Sequence, residues 1–134
     1  MREILFRGKC VKTGKWFYGD LQHNEIGDTW ISRLTSNING DGGFFVNVDP
    51  DTVGQFTGLL DKNGKRIFEG DLVFACRGER WQGTSEFIVE GEIKYAGYSF
   101  DIVDKNMVCY SFGYCPIEEI EIIGNIHDKE KNNA

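Results

Sequence analysis

Residues 53–73 read Val53-Gly54-Gln55-Phe56-Thr57-Gly58-Leu59-Leu60-Asp61-Lys62-Asn63-Gly64-Lys65-Arg66-Ile67-Phe68-Glu69-Gly70-Asp71-Leu72-Val73. The polar centre, Asp61 to Arg66, is closed on both sides by apolar residues, Leu59-Leu60 and Ile67-Phe68. Asn-Gly between two such runs is the strongest short-range hairpin signal, because both residues readily take the positive φ that a type I′ turn requires. Gly54, Gly58, Gly64 and Gly70 punctuate the stretch more densely than a plain hairpin needs. Gly70-Asp71 then delivers the chain into Leu72-Val73-Phe74-Ala75-Cys76, which has the composition of a buried strand.

Upstream, Ile4–Cys10 and Trp16–Tyr18 flank Lys12-Thr13-Gly14-Lys15 and predict a first hairpin, with Gly19-Asp20 closing its second strand. A polar loop is expected over His23–Asp28, a strand over Thr29–Leu34, and a long turn-rich loop over Thr35–Gly43. Phe44–Val48 returns to strand character, and Asp51-Thr52 could cap a single helical turn. Downstream, a charged loop over Arg77–Glu86 is followed by Phe87–Tyr95, in which Phe87, Val89, Gly91, Ile93 and Tyr95 alternate with Ile88, Glu90, Glu92 and Lys94. Ser99–Val103 and Met107–Phe112 are further strands, Pro116–Glu119 a single turn, and Glu121–Ile126 the last strand.

No segment sustains helical periodicity, and short strands recur about every 8–12 residues, as in small barrels and sandwiches. The expected fold is mainly β with little helix: an N-terminal β-hairpin and meander lobe (residues 1–68), an SH3-like β-barrel (residues 69–127), and a frayed charged tail (residues 128–134). The division between lobes is expected near Ile67–Gly70.

The 134 residues carry a formal net charge of −6, with 40% hydrophobic residues and 27% charged. That is the balance of a folded domain and not of a disordered chain. The acidic excess lies wholly after residue 70, which opposes a phosphate-binding role for the second half, since such surfaces rely on Lys and Arg. Basic residues gather instead on the first hairpin at Arg7, Lys9, Lys12 and Lys15. No window is apolar enough to span a membrane. Met1-Arg2-Glu3-Ile4 leads straight into patterned sequence without a signal-type apolar run, so a cytoplasmic protein is expected. Cys10, Cys76, Cys109 and Cys115 form no C-x-x-C pair and are expected as buried reduced thiols.

Four pieces in order along the chain resemble the YopX family of phage and prophage proteins. They are Phe6-Arg7-Gly8-Lys9 with Thr13-Gly14-Lys15-Trp16, the Val53–Val73 stretch, Gly91-Glu92-Ile93, and Ile120-Glu121-Ile122-Ile123-Gly124-Asn125-Ile126-His127. The resemblance implies a phage-associated origin in a bacterial host and a mainly β fold with a barrel-like C-terminal part. It implies no reaction and assigns no residue a role.

The candidate chemistry is sparse. Asp61-Lys62-Asn63-Gly64 echoes a calcium loop, but counting from Asp61 puts Arg66 where the loop needs glycine and Leu72 where it needs a bidentate Glu. Glu69 and Asp71 could form an acid–base pair, although Asp71 suits a turn-closing acceptor better. His23 with Asp20, Glu25 and Asp28 is the one histidine segment rich in carboxylates, on a single polar loop. No phosphate-cradling glycine motif or nucleophile–base arrangement occurs. No catalytic, cofactor-binding or metal-ligating residue is assigned, and no cofactor is expected.

The remaining signal is aromatic. Tyr110, Phe112 and Tyr114 alternate, with Tyr95, Tyr98 and Phe100 nearby. Such a row is core, subunit interface or ligand platform. Tyr98, Phe100, Tyr110, Phe112 and Tyr114 are the candidate protein-contact surface. The function expected is that of a non-enzymatic phage or prophage accessory protein acting through contacts with itself, as a homo-oligomer, or with another protein. The alternative is a nucleic-acid-binding accessory protein using Arg7, Lys9, Lys12 and Lys15. A small metal-dependent hydrolase using the His23 loop is the weaker third.

Overall fold

The computed structural model describes residues 2–34, 42–77, 87–112 and 119–128. The chain is mainly β, as the turn-rich pattern predicts, with eleven strands and a single 3-10 turn in these segments. The strands are β1 (Phe6–Lys9), β2 (Trp16–His23), β3 (Thr29–Leu34), β4 (Gly43–Asn47), β5 (Gly54–Leu60), β6 (Arg66–Phe68), β7 (Asp71–Arg77), β8 (Phe87–Tyr95), β9 (Phe100–Asp104), β10 (Cys109–Ser111) and β11 (Ile120–Asn125). The chain divides into two compact units, Met1–Phe56 and Thr57–Ala134.

In the first unit the strands are ordered β4-β3-β2-β1-β5, all antiparallel. The expected first hairpin forms, with Phe6 opposite Gly19 and Lys9 opposite Trp16. Gly19-Asp20 does not end its second strand, which continues to His23. Gly19 serves proximity: a Cβ there would stand 2.2 Å from the Ser32 carbonyl oxygen, so a side chain would push β2 off β3. Ile31, Val48, Leu5 and Phe56 are the buried apolar residues of this unit. Gly8 admits Val48, whose Cγ2 would lie 3.0 Å from an added Cβ. The one helical turn spans Pro50–Thr52, capped by Asp49 and not by Asp51: the Asp49 carboxylate accepts the Asp51 N–H at 3.0 Å. Thr52 ties the turn to β1 by accepting the Lys9 N–H at 2.9 Å.

The second unit opens with the outer half of β5 and its partner β6, joined by the Asp61–Gly64 turn. The turn differs from the expected type I′. Of its residues only Gly64 has positive φ, at 81°. The Gly64 N–H reaches the Asp61 carbonyl at 3.0 Å and the Asp61 N–H reaches the Lys65 carbonyl at 2.7 Å, closing a longer loop with glycine at its left-handed position. Asp61 selects this geometry. Its Oδ1 accepts the N–H groups of Asn63 (2.8 Å) and Lys65 (2.9 Å), which a two-residue turn would not present to it.

Five further strands form an antiparallel sheet in the order β10-β9-β8-β7-β11. The last strand lies beside the first, as the SH3-like expectation requires, but the edges β10 and β11 do not pair with each other, so no closed barrel forms among the described residues. Alternate residues build one core from Val73, Ala75, Val89, Ile93, Ile102 and Ile120, all at most 4% exposed, and Ile67 of β6 joins them at 0%. This explains why the units divide after Phe56 and not near Ile67–Gly70: the side chain of Ile67 belongs to the second core. The hairpin turn also covers the free edge of β11. The Lys62 N–H donates to the Ile120 carbonyl (2.8 Å), and the Ile122 N–H donates to Asp61 Oδ2 (3.1 Å). An otherwise unpaired strand edge is thereby closed. The Lys62–Glu121 ion pair at 3.4 Å joins two exposed side chains and adds little.

Between β6 and β7, Asp71 is 2% exposed and its Oδ2 accepts the Phe68 N–H at 2.7 Å. Asp71 therefore closes the corner as an acceptor. Asp71→Ala, which strands that buried N–H, is expected to cost about 1–3 kcal/mol. Unchanged stability in urea titration would refute the role. Of the loops expected over Thr35–Gly43 and Arg77–Glu86, residues 35–41 and 78–86 lie outside the described residues, as do most of the Pro116–Glu119 turn and the tail from 129. Gly43 begins β4 and Arg77 ends β7.

Candidate functional site

The residues singled out as chemical candidates are dispersed. On β2, Asp20 and His23 stand an odd number of positions apart, so the strand's alternation points them to opposite faces. Asn24 organises the loop after His23: its Oδ1 accepts the Ile26 and Asp28 N–H groups, and its Nδ2 donates to Asp28 Oδ2 at 3.0 Å. Among the described residues no group of three or more His, Cys, Asp and Glu side chains is placed to hold a metal ion. Cys10 and Cys109 are free thiols, half-buried and exposed respectively, where burial was expected. The Thr13 hydroxyl hydrogen-bonded to the Cys10 thiol, with the Thr13 and Lys12 backbone N–H groups and the Lys12 charge, lowers its pKa.

The candidate aromatic surface resolves into different environments. Phe100, Tyr110 and Phe112 are half-buried and pack against the core of the second unit, with Phe100 also edge-on to Tyr95 at 5.2 Å. Tyr98, in the turn between β8 and β9, is 91% exposed. Tyr114 lies outside the described residues. The row is thus largely the flank of the core, on the same sheet face as Ile93 and Ile102, since Tyr110 stands opposite Ile102 and Tyr95 opposite Phe100.

The opposite face of that sheet is recessed. A hollow of about 750 Å³ is lined by Leu72, Ile88, Glu90, Glu92, Lys94 and Met107, with the buried Val103 also on its wall. Ile88 is 55% exposed and Met107 70%. Register assembles it: Glu92 stands opposite Leu72 on one side and Val103 on the other. The Asp104 carboxylate, at its rim, is occupied by the Asn106 and Val108 N–H groups, both at 2.9 Å. That turn lifts Met107 outward in a left-handed conformation (φ 66°), rare for a residue other than glycine. The hollow can take an apolar side chain against Leu72, Ile88 and Met107 while Glu90 and Glu92 receive a cation. In the sequence only Ile88, an apolar residue on the charged face of β8, hints at it; Leu72 is brought there by strand pairing and Met107 by the Asp104 turn.

The basic residues of the first hairpin are likewise unequal. Arg7 is 5% exposed and its guanidinium lies 4.6 Å from the centroid of the Trp16 ring, with Lys9 Nζ at 5.4 Å from the same ring. Lys12 and Lys15 are exposed at the hairpin tip. The four do not form one continuous strip of free cations.

This architecture, two antiparallel sheets with the β5–β6 hairpin leading into the second unit, is that of a small, mainly β protein. The family model described as YopX protein matches residues 5–131, nearly the whole chain, and the protein belongs to the YopX family. The fold is similar to the crystal structure of protein EF1440 from Enterococcus faecalis. The two chains match over 100% of each, at 19% sequence identity and a TM-score of 0.56, a likeness of fold. No functionally curated protein matches the sequence. No helix among the described residues is long and apolar enough to cross a membrane.

Proposed function

We propose that this YopX protein is a non-enzymatic accessory protein of a phage or prophage that acts in the host cytoplasm by binding another protein through the second unit. The observation that carries this reading is the recess on the outer face of β7–β9, where Leu72, Ile88 and Met107 are exposed or half-buried beside Glu90 and Glu92. Apolar side chains rimmed by carboxylates suit a protein segment that presents both apolar and cationic residues. Of the aromatic row, Tyr98 is an outward contact and Tyr110 also lines the recess, with Phe100 and Phe112 bracing the sheet from within.

The reading is tested by affinity capture from prophage-carrying cells with the wild-type chain and with Ile88→Asp and Met107→Asp. Both side chains are more than half exposed, so neither change should unfold the sheet. Loss of a captured protein in both variants, by roughly ten-fold or more, is expected if these residues anchor the contact. Equal capture by wild type and both variants would overturn it. Self-association is the version of this reading that needs no second protein. Light scattering over a range of concentrations measures it, and mass that rises in the wild type and not in Ile88→Asp would identify the partner as a second copy.

A further inference from the structure

The first unit has an outer sheet face that the second-unit recess does not explain. Cross-strand pairing puts Arg7 opposite Tyr18, Lys9 opposite Trp16, Gln22 opposite Trp30, and Ser32 between Asp20 and Phe45. Paired residues of an antiparallel sheet project to the same side. One face therefore carries Lys9, Trp16, Tyr18, Trp30 and Phe45 together, while Phe17 and Phe44, 5.2 Å apart, belong to the other. Tyr18 is 40% exposed and Phe45 61%, and Phe45 stacks on Trp30 with ring centroids 5.6 Å apart and planes inclined by 21°. Aromatic rings gathered on one partly exposed face mark an interaction surface, whereas single exposed rings need no explanation.

We propose that this face binds single-stranded nucleic acid. Three kinds of group lie on or beside it. Lys12 and Lys15 at the hairpin tip, with Lys9 beside Trp16, present cations to the phosphate backbone. Tyr18 and the Trp30–Phe45 stack present rings to bases, whose π-faces stack on aromatics irrespective of sequence. Asp20 and Ser32 lie between Tyr18 and the Trp30–Phe45 stack, with Gln22 opposite Trp30, where base edges offer donors and acceptors. Duplex is a poor fit, because its bases are already stacked on one another. At physiological salt, charges beyond about 8 Å are screened, so the attraction depends on the cations close to the rings.

Fluorescence anisotropy of a labelled oligo-dT of about 15 nucleotides, titrated with the full chain, tests the proposal. The wild type is expected to bind, with affinity falling about ten-fold between roughly 50 and 200 mM salt. Phe45→Ala, an exposed edge-strand change, is expected to weaken binding about ten-fold through lost stacking. The combined Lys9→Ser, Lys12→Ser and Lys15→Ser variant is expected to flatten the salt response. Circular dichroism checks that each variant is folded, and the lysine variant stands as an independent test should Phe45→Ala disturb the sheet. Absence of binding by the wild type at low salt, equal binding of duplex of the same length, or unchanged affinity in both variants would each overturn the proposal.

Discussion

Asp61→Ala is expected to cost the second unit about 2–4 kcal/mol, with a fall in melting temperature on the order of 10 °C. Asp61 is 5% exposed although it sits in a turn, and its carboxylate accepts the N–H groups of Asn63, Lys65 and Ile122. The first two hold the loop in its observed shape, and the third fastens that loop to β11. Alanine leaves all three donors without their acceptor, and the partly buried Ile122 N–H is the hardest to rehydrate. Asp61→Asn should lose less. An asparagine oxygen can still serve Asn63 and Lys65, but its amide nitrogen then faces the Ile122 N–H, donor against donor. Urea denaturation of the three proteins should rank them wild type, Asn, Ala, and equal midpoints for wild type and Ala would refute the role assigned to Asp61.

The same carboxylate gives stability a pH dependence. Burial by itself raises the Asp61 pKa, but the Ile122, Lys65 and Asn63 N–H bonds and the Lys65 charge together outweigh it and leave the pKa lowered. A group whose folded pKa lies below its unfolded value contributes stability that is fully present above the unfolded pKa, about 4 for Asp, and is lost as pH falls through the folded value. The stability difference between wild type and Asp61→Asn should therefore be constant from neutral pH down to about 5 and shrink below about 4. A difference independent of pH across that range would contradict the assignment.

Ile67→Ala is the second large effect, expected at about 2–5 kcal/mol, against about 0.5–1.5 kcal/mol for Ile67→Val. Ile67 is fully buried among Val73, Ala75, Val89, Ile93, Ile102 and Ile120, so truncation opens a void that the sheet on one side and the β5–β6 hairpin on the other cannot both close. Leu59 and Leu60, across the same hairpin, are 36% and 48% exposed, and Leu60→Ala should change stability by no more than about 0.5 kcal/mol. The contrast also tests the division of the chain. Hydrogen exchange in Ile67→Ala should accelerate at amides of β7–β9 and β11 more than at those of β2 and β3. Acceleration confined to β1–β4 would place Ile67 in the wrong core.

Much of the fold is written in local signals. Alternation in Phe87–Tyr95 sets which residues of β8 face the core, and the Gly64 and Gly14 turns fix two hairpins because each glycine takes positive φ without steric cost. Val53–Val73 likewise yields a hairpin, a corner and the start of a buried strand before any contact is known, and it carries the kinship with the YopX family. Single positions misled where a residue serves a distant partner. Gly19 looks like a stop because glycine usually ends strands, yet it is there for the Ser32 carbonyl. Asn63-Gly64 looks like a type I′ turn because its neighbours are apolar, yet Asp61 imposes another loop by accepting the Asn63 and Lys65 N–H groups and fastens it to Ile122, 61 residues away.

The candidate surfaces divide in the same way. Periodicity showed that Tyr110 and Phe112 share a face but could not say whether that face is inside, since alternation is identical for a core and a solvent side; burial against Ile93 and Ile102 decided it. The recess of Leu72 and Ile88, completed by Met107 from the turn after Asp104, and the aromatic face of Trp16, Tyr18, Trp30 and Phe45 depend on strand register. By itself the sequence determined the β character, the main turns and the family, because each depends on neighbours along the chain. Only the tertiary structure decided which apolar residues remain exposed and which charges stand beside them, because cross-strand pairing joins residues that the sequence keeps far apart.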